Sequence, residues 1–486
     1  MRTLTLATMA VTAAAMAAGS ISLTAAPPFI DLIAVGTIDG LYQDFAAQTS
    51  GPLESGTPGN RFGGIGSGLA YLGGDWFLAL PDRGPNATEY NDCAGDRLDN
   101  TTSYIPRVHT MHLALAPADP GSPLPFVLTP MLADTTLLSS RTPLVYGSGC
   151  GVAGTGVPAL NRVERRFYFS GRSDNFDPKK NSLNPANGRF DPEGIRVSRD
   201  GRSVFISDEY GPYIYEFDRR TGQRVRVFTL PAKFAANYLS SHGDDEINIA
   251  NNPVGRIANK GMEALAITPD GDALIGIMQS ALEQDGGDVK GQVVRVVKID
   301  IKTGAVREYA YPTDAGLKTT VSDVVAINEN EFLVDERDGK GLGDNSAAGF
   351  KRLFKFTLTG ATEVSGISGK TALAAAAVSK SLVLDIVSVL NTVHGIPLAD
   401  IPAKLEGIAF GQDVVIGGKT KHTLWVANDN DFLQVVPNST HVGGTAQNPN
   451  QYFVFAFDDI DIPNFEPQHI RWDDDQDDHD ADRDNR

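Results

Sequence analysis

The chain has 486 residues, 41% of them hydrophobic, with 50 Gly and 28 Pro, which allows a large core built from many short elements joined by turns. Its formal net charge of -18 argues against nucleic acid as a partner, because neutralising phosphates needs basic patches. Two Cys exclude a Cys-based metal cluster, and eight His in so long a chain point away from zinc and copper chemistry.

In chain order, the opening stretch "MRTLTLATMAVTAAAMAAGSISLTAAPPF" has one Arg, an Ala-rich apolar run and then small residues. This pattern predicts a secretory signal peptide over 1–26, cleaved near Ala18 or Ala26, with a retained anchor as the alternative. The protein is therefore expected to be exported, to the periplasm or beyond, with no membrane span after cleavage. "GSGLAYLGGDWFLALPDRGPN" then reads as a two-strand hairpin that begins at Ser67 and closes in Asp82-Arg83. Cys93 and Cys150 are expected to form one disulfide in an oxidising compartment, the alternative being two separate buried thiols. Between 105 and 172, "RVHTMHLALAP" and "RRFYFSGRSD" supply strands around a long insertion, and Arg172 follows Gly171 there.

"DPEGIRVSRDGRSVFISDEYGPYIYEFD", from Asp191 to Asp218, repeats the hairpin with Glu193 at its start and Asp208-Glu209 at its close. "NKGMEALAITPDGDALIGIMQS" has Glu263 and ends near Gln279, while "VSDVVAINENEFLVDERDGKG" has Asp323 and closes in Asp335-Glu336-Arg337. "SGKTALAAAAVSKSLVLDIVSVLNTVHGIPLADIPA" departs from the pattern and reads as a helical insertion. "KLEGIAFGQDVVIGGKTKHTLWVANDNDF" restores it, from Glu406-Gly407 to Asp429-Asn430-Asp431. Several units continue into further strand pairs around a Thr-Gly turn, as in "YIYEFDRRTGQRVRVFTL" and "VVRVVKIDIKTGAVREYAY". Four antiparallel strands per repeat predict an all-β fold, a β-propeller of six blades, with seven as the alternative count and a β-sandwich assembly as the alternative fold. The helical insertion is expected before the last blade and the domain is expected to span 27–462. The remainder, 463–486, holds "DDDQDDHDADRDNR" and reads as an acidic, disordered tail.

In a propeller, equivalent positions of different blades point at one axis. Glu193, Glu263, Asp323 and Glu406 are assigned to one such position, and Asp82, Asp208, Asp335 and Asp429 to another. Carboxylates crowded in this way repel one another unless a proton or cation sits among them. Calcium takes six to eight oxygen ligands in irregular geometry and suits such a set. All eight residues are thus candidate metal ligands, although any of them could instead cap a turn. Arg83, Arg172, Lys260, Arg337 and Lys340 lie near the acids in sequence and could cradle an anionic group, the alternative for each being a surface ion pair.

The stretches "DPEGIRVSRDGRSVFISDEYGPYIYEFD", "NKGMEALAITPDG", "LPDRGPN" and "LEGIAF…LWVANDNDF" resemble the phytase-like family, described as esterase-like activity of phytase, over about 60 to 455. The resemblance implies an exported propeller hydrolase of phosphoester or ester bonds, similar to calcium-dependent propeller phytases. It makes Glu193, Asp208, Glu209, Glu263 and Glu406 candidate ligands, with Glu209 or Glu263 as the catalytic base. Ser67 and Gln279 stand where acids would complete the ring. No Gly-x-Ser-x-Gly elbow is present, so a serine esterase is disfavoured. The function expected is a calcium-dependent phosphoesterase acting, as a monomer, on small phosphorylated compounds. A lactonase- or carboxylesterase-like hydrolase and a non-catalytic binding propeller with structural calcium are the alternatives.

Overall fold

The computed structural model describes residues 30–92, 95–147 and 165–471. The expected signal peptide, Cys93 with Cys150, and the Asp-rich run from 473 lie outside those residues.

The described residues form five four-stranded antiparallel units. Blade I runs through Gly68–Gly73, Trp76–Leu80, Arg107–Pro117 and Phe126–Leu137, innermost strand first. Blade II uses Pro192–Val197, Ser203–Asp208, Tyr213–Asp218 and Gln223–Thr229, and blade III uses Met262–Ile267, Ala273–Met278, Val293–Asp300 and Val306–Pro312. Blade IV is built from Thr320–Ala326, Glu331–Arg337, Lys351–Thr357 and Lys380–Asp385. Blade V takes Leu405–Ile416, Lys419–Asn428 and Asn450–Phe457, then borrows its outer strand, Asp31–Ile38, from the start of the described chain. That pairing clasps the two ends together. Each innermost strand packs on those of both neighbours, blade V returning to blade I, so the ring is closed.

The hydrophobic core follows the same symmetry, because each sheet buries both faces against its neighbours. Phe77 of blade I meets Trp425 of blade V, and Leu78 meets Ile206 of blade II. Phe205 of blade II packs with Leu265 of blade III, Ile275 of blade III with Phe332 of blade IV, and Leu353 of blade IV with Leu424 of blade V. Five interfaces need five apolar fillings, which explains why the inner two strands of blades II to IV are almost uniformly buried.

The blade number corrects the six expected from sequence. Arg107–Pro117 is the third strand of blade I, and Phe167–Tyr168 adds to the outer edge of blade II through Ser139–Ser140. The loop from 81 to 106 separates Arg107–Pro117 from its own blade in sequence, so that hairpin looks like a separate repeat. The predicted helical insertion is corrected as well. It holds one short helix, Lys370–Ala376, and then Lys380–Asp385, which is the outer strand of blade IV, before another helical turn at Ile386–Ser388.

The tail expected from 463 is ordered as far as 471. Glu466 N donates to the Ile327 carbonyl (2.8 Å), Arg471 N to that of Arg199 (2.7 Å) and the Gln468 amide to that of Val197 (2.8 Å), so this strap crosses from blade IV to blade II over one end of the axis. Beneath it a cavity of about 70 Å³ is lined by Leu69, Ile267, Val325, Phe410 and Phe465. This end is the floor of the channel.

Candidate functional site

At the opposite end, a bulge interrupts the pairing of the inner two strands in blades II to V. Pro192 pairs with Asp208, Met262 with Met278, Val321 with Glu336 and Leu405 with Asn428, each directly before the bulge. The next residue along each innermost strand is therefore equivalent: Glu193, Glu263, Ser322 and Glu406, joined by Ser67 in blade I. The residue following the partner is equivalent too: Glu209, Gln279, Arg337 and Asp429, joined by Asp82. Bulges re-aim single side chains, and these point them at the axis. Gly194 shows why Glu-Gly recurs: a Cβ there would come within 2.5 Å of Leu265 Cβ, so a small residue lets the next blade pack close.

A cavity of about 170 Å³ occupies this mouth. Its wall carries six carboxylates, Asp82, Glu193, Glu209, Glu263, Glu406 and Asp429, against four cations, Arg83, Lys260, Arg337 and Lys404. The sequence-predicted residues so brought together are Asp82, Arg83, Glu193, Glu209, Lys260, Glu263, Arg337, Glu406 and Asp429.

Five expected site residues lie outside this lining, and side-chain alternation is the reason for two of them, Asp323 and Asp208. Asp323 sits one residue past the ring position, which Ser322 fills, and binds Arg196 at 2.9 and 3.0 Å. Asp208 sits one residue before the ring position and its Oδ1 caps the backbone, accepting from Asp191 N (3.2 Å) and Tyr210 N (2.9 Å). Asp335 precedes the ring by two and is buried below it, both oxygens without a hydrogen-bond partner. Arg172 is held by Asp174 at 2.7 Å and Glu54 at 3.2 Å, and Lys340 is exposed.

Three mouth residues escaped the sequence reading as functional groups. Asp191 is fully buried and binds Arg83 through the backbone N–H (2.9 Å) and the guanidinium (3.2 Å). Lys404 bridges Asp429 (2.8 Å) and Asp431 (2.6 Å), and Asn259 stands at the rim. Asp191 heads the Asp-Pro-Glu-Gly stretch, so an acid beside a ring glutamate was the available signal.

Asp191, Glu193 and Glu209 each offer a carboxylate oxygen within 4.8 Å of the others. Burial pushes the Glu193 and Glu209 carboxyls well above the usual range, and the neighbouring Glu263 adds to this. Glu263 is itself pushed up to about 8, by burial and then by Glu406. Asp82 is raised by burial and by Asp429, whereas at Asp429 the Lys404 ammonium outweighs burial and holds the carboxyl low. Glu209 Oε1 and Glu263 Oε2 are buried without a partner in the protein. Three converging carboxylates, two orphaned oxygens nearby and no sulfur or imidazole fit a hard, oxygen-seeking cation. Arg337 donates to Glu406, and Lys260 reaches the Gln279 side chain at 3.2 Å, so cationic groups stand beside the acid cluster.

Fold and mouth together define a β-propeller closed at one end, with a buried, acid-rich site at the other. The chain belongs to the phytase-like family, described as "Esterase-like activity of phytase", which matches residues 60–432. A secreted, uncharacterized protein of Arthroderma benhamiae is 26% identical over 336 residues, 58% of this chain and 60% of that protein, so the chain spans under two thirds of that relative. Among solved structures, a Pseudomonas aeruginosa periplasmic gluconolactonase is similar at 14% identity and a TM-score of 0.30, covering 87% of this chain and 99% of that one. Hydrazine synthase of Kuenenia stuttgartiensis is similar at 9% identity and a TM-score of 0.29, over 76% and 78%. No helix among the described residues is long and apolar enough to cross a membrane.

Proposed function

We propose that this protein is an exported, calcium-dependent phosphoesterase acting on small phosphorylated compounds at the channel mouth. One observation carries the reading: the Asp191–Glu193–Glu209 cluster stands in the same mouth as Arg83, Lys260 and Arg337. A cluster of acids alone suits a structural cation; acids flanked by guanidinium groups suit a cation that shares an anion with the protein.

Asp191, Glu193 and Glu209 would hold the calcium, which when bound supplies charge neutralisation and polarisation of phosphoryl oxygens. Arg83, Lys260 and Arg337 bind and orient the remaining phosphoryl oxygens, Arg being able to donate two parallel hydrogen bonds. Glu209, whose Oε1 has no partner in the protein, orients the attacking water and takes its proton. Glu263, whose carboxyl is raised by burial and by Glu406, delivers a proton to the departing alcohol oxygen as the P–O bond breaks.

Hydrolysis of p-nitrophenyl phosphate, with and without chelator, tests this beside p-nitrophenyl acetate and simple lactones. Turnover of the phosphate that chelation abolishes is expected. Turnover of the acetate or lactones instead would establish the ester or lactone alternative, and calcium retention without any turnover a binding propeller. Glu193→Gln is expected to lose calcium and activity together; a variant that keeps both removes the site assignment.

A further inference from the structure

Next to the mouth lies a second cavity, of about 320 Å³, that the hydrolytic machinery leaves unused. It shares Arg83 and Asn259 with the channel cavity, so the two form adjoining compartments of one site. At about 320 Å³ it falls at the lower end of small-molecule sites, which run from about 300 to 1,000 Å³. Asn259 marks the join, exposed and with φ of 55°, a left-handed conformation that asparagine tolerates better than most residues.

The charges of this compartment differ from those of the mouth. Arg189 is already saturated: it donates to Glu246 (2.9 Å) and to the carbonyls of Ser173 and Ser240 (3.2 and 3.4 Å). Its guanidinium lies over the rings of Phe176 and Tyr210 at 4.8 and 4.9 Å. Arg83 is turned to Asp191 in the channel. Glu246 is neutralised by Arg189 (2.9 Å) and Arg256 (3.0 Å), so the charges this wall leaves to a ligand are the carboxylates of Asp99 and Asp244. Thr101, Ser240, Asn100 and Asn259 supply hydroxyls and amides, and apolar side chains are few. A phosphate placed there would meet those carboxylates, while the Arg83 guanidinium is directed to Asp191 and the channel. Sugar-like hydroxyls would find acceptors in Asp99 and Asp244 and both donors and acceptors in the amides.

We infer that the second cavity receives the neutral, hydroxyl-rich part of a phosphate monoester, a group of about sugar size, while the single phosphate lies in the channel, and that it rejects a second phosphate. This rests on the phosphoesterase reading, so the test has a binding arm as well as a turnover arm.

Initial-rate kinetics on glucose 6-phosphate, p-nitrophenyl phosphate and inositol hexakisphosphate would be paired with calorimetric titration of glucose 6-phosphate, in calcium, on the full chain, Asp244→Lys and Asn259→Gly. Wild type is expected to prefer glucose 6-phosphate to both others by about tenfold or more in kcat/KM. Asp244→Lys, a change at an exposed position, is expected to shift the ratio towards inositol hexakisphosphate by about fivefold or more. Asn259→Gly, which keeps the left-handed backbone, is expected to weaken glucose 6-phosphate binding severalfold. A wild-type preference for inositol hexakisphosphate, or ratios and affinities that neither variant moves, overturns the inference. If no substrate turns over, titration decides: binding that Asn259→Gly weakens upholds the second cavity while the hydrolytic reading falls, and absence of binding removes both.

Discussion

The axis of this propeller carries buried acids at two depths, and Asp323 below is treated in the opposite way to Glu209 and Glu263 above. Deep in the channel, Asp323 Oδ1 accepts from Arg196 (2.9 Å) and Val324 N (2.8 Å), while Oδ2 accepts from Arg196 (3.0 Å) and Ile408 N (3.0 Å). Arg196 also donates to the carbonyls of Leu69 (2.7 Å) and Val324 (2.6 Å), so one ion pair on blades II and IV is tied into blades I and V. At the mouth, Glu209 and Glu263 are equally buried, yet each has an oxygen with no partner. Burial alone does not separate structural from functional acids. The count of donors separates Asp323 from Glu209 and Glu263, whereas Asp335, buried below the ring with neither oxygen partnered, shares the mouth acids' want of donors.

The sharpest way to break this contrast is to remove one carboxylate at each depth. Asp323→Ala leaves Arg196 charged and buried, and is expected to cost about 3–5 kcal/mol in urea unfolding. Glu209→Gln in chelator is expected to leave stability unchanged or raise it, because it relieves repulsion with Glu263. Equal losses at the two depths would erase the distinction.

A pH series sharpens it next. Glu263 is raised from 4.5 to about 8, so its contribution to metal-free stability is full below pH 4.5 and is lost as pH rises through about 8. Over that window the metal-free Tm should fall, for a loss of about a few kcal/mol. Calcium needs deprotonated ligands, and burial raises the Glu193 and Glu209 carboxyls, so its stabilising effect should grow as pH rises from about 5 to 8. Thermal unfolding with and without chelator reads both trends, and a calcium effect constant from pH 5 to 8 contradicts them. Smaller again is the catalytic loss: Glu263→Gln should lower kcat about 100-fold, some 2.7 kcal/mol, if it is the proton donor.

How far the sequence reached follows from the same geometry. Glu193, Glu263 and Glu406 were legible because each precedes a small residue and an apolar strand, and the bulge converts that local pattern directly into an axial position. Asp208 and Asp323 were not separable from ring members, because a shift of one residue is invisible in spacing yet turns a side chain to another face, and Asp335 lies two residues before the ring, on the same face but one step deeper. Asp191 owes its place to Arg83, which arrives from blade I, and no local pattern encodes that meeting. The clasp of Asp31–Ile38 on Asn450–Phe457 joins the two ends of the described chain, so neither segment reveals it alone.

The strap offers the mildest test, and it asks whether floor and mouth are independent. Phe465 is half-buried and lies against Phe410, Phe457 and His422, with ring centroids 4.4, 5.4 and 4.9 Å away. Phe465→Ala removes those contacts from a site still open to water on one side, so a loss of about 1–2 kcal/mol is expected rather than that of a core aromatic. Between this ring and the mouth stands the Arg196–Asp323 pair, held by backbone groups of Leu69, Val324 and Ile408 from three blades. A floor that loosens should therefore leave the mouth in place, and kcat/KM together with the calcium-dependent gain in Tm should match wild type. A fall in either at a temperature where Phe465→Ala remains folded would show that the strap holds the acid site in register through the axis, and the two depths would then be one device.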